Sequence, residues 1–462
     1  MADQHKNYSK GIYCFTDDLR FQDNIALANT IAQCDEIAFI YILDPRWFQK
    51  TNYQHTWIGQ AKWQFIKQSL SCLNQQLAEH GHQLTLLHGN VEHVLCELIR
   101  ENNVNFVGFA TLVGSNEQVL WAELATKCAD THFASANNSI MYLGERLNLK
   151  HEYLTSFSRF RRFVEKQQIK IEQPRKIHLD ALPSRLTLQN QPSFSKALTA
   201  LPYFISGDVQ DVQTHDSFFG GEKSAVQHCK QYFASSAASN YKTTRNALDG
   251  WQNSTKFSPY LANGNVSARQ IMQWLKQFEL AHGASESTYW IYFELLWREY
   301  FHHLANSLGN TLYRFSGLAP CAPSTSFYAE RFNKWCNGNT PYPIVNACMK
   351  QLNQTGFMSN RGRQLVASYL VNELGIDWRY GAAYFQQQLI DHDIASNWGN
   401  WQYIAGVGVD PRGGRHFNLQ KQTSLYDPEH TFINKWHGQL CDARLDSTDM
   451  VDWPIDWSKK ED

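Results

Sequence analysis

The sequence predicts an α/β domain with a doubly wound parallel sheet, joined by a long connector to a large all-α domain. Between residues 8 and 137, short apolar runs alternate with amphipathic helical patterns, and this alternation is typical of a parallel sheet. The periodicity fades over residues 138–215 and becomes helical almost throughout residues 216–462. A chain of 462 residues has room for two or three domains.

The α/β half is predicted from its strand and helix patterns in chain order. Strands are expected over residues 11–15, 36–43, 84–87 and 105–110, and helices over residues 24–33, 61–80 and 91–101. Ligands of such domains bind at the carboxyl ends of the strands, so a site is expected near Thr16 and Asp17 or near residues 114–117. The chain contains no Gly-x-Gly-x-x-Gly, so a nicotinamide cofactor is not expected there.

The connector contains several proline breaks and one predicted helix, over residues 153–167. Within that helix, Arg159-Phe160-Arg161-Arg162 is the densest basic cluster of the chain. A solvated helix face and a nucleic-acid groove would both produce such a cluster, and the sequence leaves that choice open.

In the helical half, Ser267 is a typical N-cap for a helix that reaches about residue 278. Further helices are predicted over residues 286–305, 361–372 and 378–390. Residues 391–401 combine aspartates, asparagines and two tryptophans, and this composition predicts a polar loop after a helix. Carboxylates, carboxamides and indoles suit a large aromatic cofactor with a sugar attached; a polar loop over core tryptophans is the alternative.

Composition limits the partners and the compartment. The formal net charge is -1 and the pI is about 7.0, so nucleic acid would have to bind a local basic patch. The 10 cysteines form no Cys-x-x-Cys, so neither a metal site nor a disulfide scaffold is predicted. The N-terminus lacks a signal-peptide pattern, and no run approaches the roughly 18 apolar residues of a membrane helix. We therefore expect a cytoplasmic monomer without membrane attachment.

Ser254-Thr255-Lys256-Phe257-Ser258-Pro259 places hydroxyls and an ammonium before a helix with proline in its first turn. Such groups can hold a phosphate, and Tyr241 could add a phenol. A capped helix start without a ligand is the alternative.

On the predicted helix over residues 286–305, five side chains share one face because they are spaced by three and four residues. These residues are Trp290, Glu294, Trp297, Arg298 and Phe301. Buried charge is costly unless paired, so the face is either an Arg–Glu core pair or a pocket floor with a base-stacking tryptophan.

A third group lies at a predicted helix start, where Asn360, Arg363 and Gln364 could face one side. A carboxamide beside a guanidinium suits phosphate or carboxylate recognition.

Together these stretches resemble the photolyase/cryptochrome family over nearly the whole chain, and its DASH branch in particular. The matching stretches are Asp18-Leu19-Arg20 with Asp23-Asn24, Tyr241-Lys242-x-x-Arg245-Asn246, and residues 254–262, 294–299, 358–364, 396–401 and 406–412. The resemblance implies an N-terminal α/β domain, a connector and a helical domain that holds a U-shaped FAD.

By this resemblance, the FAD diphosphate would be clamped by Tyr241, Ser254, Thr255, Lys256, Phe257 and Ser258. Asn360 and Arg363 would flank the cofactor, and Arg363 would pair with Asp391. Asp393 would meet the ribose or the ring edge, and Asn397 would face flavin N5. Glu294 and Arg298 are implied as further cofactor contacts.

The implied reaction is blue-light-driven electron transfer from reduced FAD to a cyclobutane pyrimidine dimer. Glu294 would hydrogen-bond the flipped-out dimer, and Trp297 would stack on it. Tyr403 and Gln364 stand where ordinary photolyases use a second stacking tryptophan and commonly a methionine. A weaker stacking wall favours single-stranded DNA as the partner, with RNA or loops in duplex DNA as alternatives.

The resemblance also implies an electron relay and an antenna. Trp401 and Trp378 match the inner two of three tryptophans, but the outer position near Thr325 holds none, so Tyr328 or Trp335 would have to replace it. Asn116-Glu117 resembles the contact motif of a 5,10-methenyltetrahydrofolate antenna, whereas Phe15-Thr16-Asp17 replaces the usual Trp-Phe-Arg.

Two functions compete at this stage. Glu294, Trp297 and Asn397 favour a deoxyribodipyrimidine photolyase that repairs dimers in single-stranded DNA. The alternative is a nucleic-acid-binding blue-light photoreceptor with little repair activity.

Overall fold

The computed structural model describes residues 7–142, 147–189, 191–199, 218–409, 413–439 and 444–446. A parallel sheet covered by helices forms the N-terminal half, and the other half is helical. The predicted fold class is therefore confirmed. The predicted boundary between residues 215 and 216 lies outside the described residues.

The sheet contains strands in the order β3-β2-β1-β4-β5, and all the pairings are parallel. These strands are β1 Tyr8–Phe15, β2 Cys34–Leu43, β3 Leu84–His88, β4 Phe106–Ala110 and β5 His132–Ala136. The chain order reverses between β1 and β4, and ligands of doubly wound sheets bind outside the carboxyl ends at such a point.

Helices cover both faces of the sheet. They are α1 Ile25–Gln33, α2 Gln60–Ala78, α3 Val91–Asn102 and α4 Ser115–Lys127, with a 3-10 turn at Pro45–Phe48. Alternate residues of β1 face opposite layers, as expected for a strand: Tyr13 packs in the core under α2, and Ile12 in the core under α3 and α4.

The connector differs from its prediction in two ways. The single helix predicted over residues 153–167 is broken into α5 His151–Leu154 and α6 Phe157–Gln167, because Ser156 forms a new N-cap that accepts a hydrogen bond from the Arg159 backbone N–H. A short strand, β6 Ser184–Arg185, pairs with β2 at the edge of the sheet, and α7 Phe194–Thr199 follows it. A strand of two residues has no periodicity from which to predict it.

The helical half was predicted well in its longer elements. It contains α8 Glu222–Ala234, α9 Ala237–Thr244, α10 Ser258–Ala262, α11 Ala268–His282, α12 Glu286–Leu308, α13 Ala329–Cys336, α14 Pro343–Thr355, α15 Asn360–Asn372, α16 Trp378–Gln388, α17 Ile394–Ile404, α18 Leu419–Tyr426 and α19 Thr431–Lys435. Ser267 is the N-cap of α11 and forms a capping box with Gln270, as its sequence indicates. No helix within the described ranges is long and apolar enough to cross a membrane.

The prediction of a polar loop over residues 391–401 is wrong for most of that stretch, because helix α17 begins at Ile394. Asp393 is its N-cap, and the carboxylate accepts a hydrogen bond of 2.7 Å from the Ser396 backbone N–H. The helix is stable despite its asparagines and glycine because it buries Trp398 and Trp401 against the core.

A buried ion pair joins the two halves. The Asp23 carboxylate, in the turn between β1 and α1, lies 2.9 Å from Nε of Arg269 on α11, and both side chains are 1% exposed. Ser267 donates a further hydrogen bond of 2.5 Å to Asp23, and Arg269 donates one of 2.7 Å to the carbonyl of Ile140. The pair is therefore fully hydrogen-bonded, which a buried charge requires.

Arg269→Leu should destabilise the chain by about 3–5 kcal/mol, because it leaves the Asp23 carboxylate buried without its counter-charge. Denaturant unfolding of the variant measures this loss. The matched control is Lys223→Ala, since Lys223 pairs with Glu79 at the surface, with side chains 54% and 50% exposed, and such pairs contribute about 0–1 kcal/mol. Equal losses in the two variants would contradict the role given to the buried pair.

Candidate functional site

A cavity of about 110 Å³ opens among α15, α16 and α17. We call it the helical cavity. Eight residues that were predicted from the sequence line this cavity: Asn360, Arg363, Gln364, Asp391, Asp393, Asn397, Trp401 and Tyr403. The chain thus brings residues from two separate stretches, 360–364 and 391–403, to one place.

Arg363 is fixed by two partners at the wall of the helical cavity. Its Nη2 lies 3.0 and 2.8 Å from the two carboxylate oxygens of Asp391, and its Nε donates to the Met358 carbonyl at 2.9 Å. The pairing of Arg363 with Asp391 is the one expected from the sequence. The guanidinium is held in one orientation, because Nη2 and Nε are hydrogen-bonded to different partners.

The carboxamide of Asn397 is also held in place. Its Nδ2 donates a hydrogen bond of 3.0 Å to the Ala382 carbonyl on the neighbouring helix α16. An anchored amide presents its remaining donor and acceptor in a fixed direction, and a carboxamide can bond a ring nitrogen in either protonation state.

Asp393 has partners on α12 that the sequence analysis missed. His302 Nε2 lies 2.7 Å from the Asp393 carboxylate, and Arg298 Nη2 lies 3.7 Å from it. Burial raises the pKa of Asp393, but His302 and Arg298 outweigh burial and hold that pKa well below its usual range. His302 is one turn after Arg298, so the spacing of four residues was the signal that could have identified it.

Two cations, Lys256 and Arg363, lie near the ring of Phe357 and connect the predicted phosphate cradle to the helical cavity. Lys256 Nζ is 5.2 Å from the centre of the Phe357 ring, and the Arg363 guanidinium carbon is 5.4 Å from it. Lys256 also donates to the Ser254 hydroxyl at 2.8 Å. Burial lowers the pKa of Lys256 to about 8, and among the described residues it has no ion-pair partner. The charge of Asp249 only partly opposes this shift, and a partly buried ammonium of this kind favours an anionic ligand.

The other residues of the predicted cradle contribute unequally. Phe257 packs its ring in the core, 5.1 Å from that of Tyr232, so only its main chain can face a ligand. The carbonyl of Thr255 accepts a hydrogen bond from His228. Tyr241 is buried in α9, and Ser258 is exposed at the first residue of α10.

Glu294 does not pair with Arg298, as one reading of the sequence allowed. It forms an ion pair with Arg245, whose guanidinium lies 4.3 Å from the centre of the Trp290 ring. The Glu294 side chain remains 32% exposed. Burial raises its pKa, and Arg245 opposes that shift. An exposed carboxylate held by a positioned guanidinium can accept hydrogen bonds from a ligand.

Trp297 and Tyr403 form adjoining aromatic walls beside this pair. Their ring centres are 6.3 Å apart, at an interplanar angle of 75°. Phe157 of α6 stacks on Trp297 at 3.7 Å and 8°, and Arg415 donates a hydrogen bond of 3.0 Å from Nε to the Tyr403 hydroxyl. Phe157 and Arg415 were missed because no local pattern links them to the walls that they support.

The tryptophans implied in electron transfer, Trp401 and Trp378, lie on the neighbouring helices α17 and α16. The ring of Trp401 lies against Gly381, where an added Cβ would come within 2.2 Å of it, and Trp378 is the first residue of the same helix. Trp335 is fully buried, and its ring centre is 6.3 Å from that of Trp401. Thr325, at the expected outer position, provides only a hydroxyl without a described partner.

A second cavity, of about 540 Å³, lies at the carboxyl ends of the strands. We call it the sheet-edge cavity. It is lined by the predicted Asn116 and Glu117, and also by Asp17, Lys62 and His392. Lys62 Nζ is 3.4 Å from His392 Nδ1, and His392 lines both cavities. Burial raises the pKa of Asp17 and lowers that of Lys62, while the two charges oppose these shifts in each other.

Comparison with known proteins agrees with this geometry. Models of two families match the chain, one described as DNA photolyase over residues 11–178 and the other as the FAD binding domain of DNA photolyase over residues 290–461. A protein named cryptochrome DASH from Idiomarina loihiensis is 45% identical over 451 residues, which cover 97% of each chain. The chain belongs to the photolyase/cryptochrome family, in its DASH branch.

Solved structures of the family have the same fold. A Synechocystis cryptochrome is 33% identical, with a TM-score of 0.84 over 93% of this chain and 88% of that one. An archaeal photolyase from Sulfolobus tokodaii, described with two FAD molecules, is 25% identical, with a TM-score of 0.74 over 92% of this chain and 90% of that one.

Of the DASH-like motif over residues 406–412, residues 410–412 lie outside the described residues.

The helical half is accordingly an FAD-binding domain, and its residues fit that cofactor. Lys256 and Arg363 supply two positive charges beside Phe357, which suits a diphosphate. The walls of the helical cavity supply the carboxylates and the carboxamide that a ribose and a flavin ring need.

FAD affinity should fall as the pH rises above about 8, because the Lys256 ammonium loses its proton there. Bound diphosphate favours the charged lysine, so the dissociation constant should rise by up to about tenfold per pH unit. Lys256→Arg should keep tight binding to higher pH, because arginine stays protonated. Lys256→Met should bind weakly at all pH values. Titration of FAD into apoprotein, followed by flavin fluorescence between about pH 7 and pH 9, measures this.

The matched control is Lys242→Met, because Lys242 pairs with Glu286 at the surface. That variant should retain the pH dependence of the unaltered chain. A pH-independent affinity in the unaltered chain would exclude Lys256 as the phosphate contact.

Proposed function

We propose that this protein is a light-driven repair enzyme for cyclobutane pyrimidine dimers, acting on single-stranded DNA. The observation that supports this most strongly is the Glu294–Arg245 pair beside the aromatic walls Trp297 and Tyr403. A partly exposed carboxylate next to flat rings suits a flipped-out pair of pyrimidines, which offers N–H donors and two stacking faces.

FAD would be held as the resemblance implies. The predicted contacts are Tyr241, Ser254, Thr255, Lys256, Phe257, Ser258, Glu294, Arg298, Asn360, Arg363, Asp391, Asp393 and Asn397. Reduced FAD would supply the electron when it absorbs blue light. The role of Asn397 is to bond flavin N5, and its anchoring to Ala382 fixes the direction of that bond.

Glu294 acts on the substrate by orienting it. Because Arg245 holds the carboxylate, Glu294 does not need to lose side-chain freedom when the dimer arrives. Phe157 stacks on Trp297 and holds the indole in place, so Trp297 would not need to turn when a base contacts it.

The preference for single strands follows from Tyr403 and Gln364, which replace larger or more polarisable groups. Stacking of a base on an aromatic ring contributes about 1–3 kcal/mol, and a phenol offers less surface than an indole. Less binding energy then offsets the few kcal/mol needed to flip a dimer out of a duplex. Single strands avoid most of that cost.

Repair should depend on these residues in a defined way. Glu294→Ala should weaken binding of a dimer-containing oligonucleotide about 10–100-fold, because a hydrogen bond to a charged group contributes about 1.5–3 kcal/mol. Tyr403→Trp should raise repair in duplex relative to single-stranded DNA. Illumination of the reduced protein with both substrates, followed by chromatography of restored pyrimidines, measures both effects. Equal repair of the two substrates by the unaltered chain would exclude the proposed preference.

The competing function is a photoreceptor that binds nucleic acid with little repair. Its support is that the similar proteins are named cryptochromes. The same experiment separates the two, because a receptor would bind the oligonucleotide and leave its dimers intact after illumination.

We also propose that the sheet-edge cavity holds an antenna chromophore. Its volume of about 540 Å³ is within the range of cofactor sites, and His392 lines both this cavity and the helical cavity. The predicted contacts Asn116 and Glu117 favour 5,10-methenyltetrahydrofolate. A second flavin is the alternative, given the two FAD molecules of the archaeal photolyase. Acid extraction and mass spectrometry would identify a folate, a flavin or neither.

Trp401 and Trp378 stay the predicted inner donors of the electron relay, and we propose that Trp335, whose ring centre lies 6.3 Å from that of Trp401, replaces the missing outer tryptophan. The Trp335 ring stacks on that of Phe332 at 5.8 Å, and Phe332 lies 5.7 Å from Tyr380, which is partly exposed. A partly exposed phenol can release its proton to water when it is oxidised. Tyr328, the other candidate, contacts Arg331 at the surface.

Trp401→Phe should abolish photoreduction of oxidised FAD, and Trp335→Phe should slow it several-fold if Trp335 carries the electron. Absorbance changes under blue light with an external thiol reductant give both rates. Trp274→Phe is the control, because among the described residues Trp274 contacts none of these rings. An unchanged rate in Trp401→Phe would contradict the assignment of the inner donor, and an unchanged rate in Trp335→Phe would return the relay to Trp378.

A further inference from the structure

Two thiols of the α/β half lie in direct contact. Cys96 is in α3 and Cys128 directly follows α4, and their sulfur atoms are 3.2 Å apart. Both residues are partly exposed. A disulfide bond is about 2.05 Å long, so a shift of about 1 Å would bring the sulfurs to bonding distance. We propose that Cys96 and Cys128 form a site of reversible thiol oxidation, at which a small disulfide such as oxidised glutathione converts the pair to a disulfide bond.

The hydrogen bond within the pair indicates the order of the reaction. Cys128 donates its thiol hydrogen to the sulfur of Cys96. Burial and the neighbouring thiol raise the pKa of Cys128 to about 11, so Cys128 is protonated at neutral pH. Cys96 is therefore the thiol that attacks first, and Cys128 resolves the product.

The exchange balances in two steps. The Cys96 thiolate attacks one sulfur of oxidised glutathione, which forms a mixed disulfide and releases one glutathione thiolate. Cys128 then attacks the Cys96 sulfur, which expels the second glutathione, and the proton of Cys128 goes to the leaving thiolate. The protein loses two hydrogen atoms, and one oxidised glutathione becomes two reduced ones.

The bond would fix the helices that enclose one side of the sheet-edge cavity. Val91 and Glu92 of α3, and Leu120 and Trp121 of α4, line that cavity. In the reduced protein, the same helices are joined by the exposed ion pair of Lys127 with Glu92, and such a pair is weak. Oxidation would replace this adjustable contact by a covalent one.

The test uses the unaltered full-length protein with its flavin, kept in the dark and incubated with oxidised glutathione. After free thiols are blocked with iodoacetamide, peptide mass spectrometry should find one cross-linked peptide pair joining Cys96 to Cys128. Intact mass should show the loss of two hydrogen atoms, and dithiothreitol should reverse it. Amide hydrogen exchange in α3 and α4 should slow in the oxidised form.

Variants separate the two steps. Cys128→Ser should stop the reaction at a glutathione adduct on Cys96, and Cys96→Ser should give no cross-link. Cys72→Ser is the matched control, because Cys72 is also partly exposed and hydrogen-bonds to Gln76; it should cross-link as the unaltered chain does. If the exposed Cys321 becomes glutathionylated while Cys96 and Cys128 remain alkylatable, or if the cross-link maps to other cysteines, the proposal is wrong.

Discussion

The buried pair of Asp23 and Arg269 determines how the two halves meet. Asp23 follows β1 with a left-handed backbone, φ 56°, and Arg269 lies in the first turn of α11. Arg20 extends the same network by donating to the carbonyls of Gly264 and Asn138. One set of hydrogen bonds thus reaches the sheet half, the connector and the helical half. The contact of Lys62 with His392 depends on how the two halves dock. His392 lines both cavities, so their relative position depends on the same docking.

The fold class could be predicted because it is encoded in local periodicity. The runs that become β1 and β2 are short and apolar, and the Ser267 capping box marks the start of α11 within four residues of sequence. The stretch over residues 391–401 could not be read in the same way. Its Asn and Gly content favours a loop, whereas burial of Trp398 and Trp401 stabilises a helix, and tertiary packing outweighs intrinsic propensity.

The sequence predicted individual residues of the candidate site, but it did not predict which other residues hold them in place. Motifs identified Glu294, Trp297 and Asp393, but the groups that hold them come from elsewhere in the chain: Arg245 from α9 and Phe157 from α6. Which residues meet is decided by how helices cross, and a one-dimensional pattern does not contain that information. The pairing of Arg363 with Asp391 was foreseen only because the family resemblance supplied it.

The contact between Trp401 and Gly381 has a consequence for how electron delivery can vary among related chains. The indole occupies the space that any side chain at position 381 would need. An alanine there would push the ring out of its plane or push α16 away from α17, and close-packed interiors tolerate neither at little cost. Trp401, the proposed electron donor, can therefore be displaced while every aromatic residue is kept. A comparison of tryptophan positions among related chains would not detect such a change. The position of the Trp401 ring depends on the absence of a side chain at residue 381.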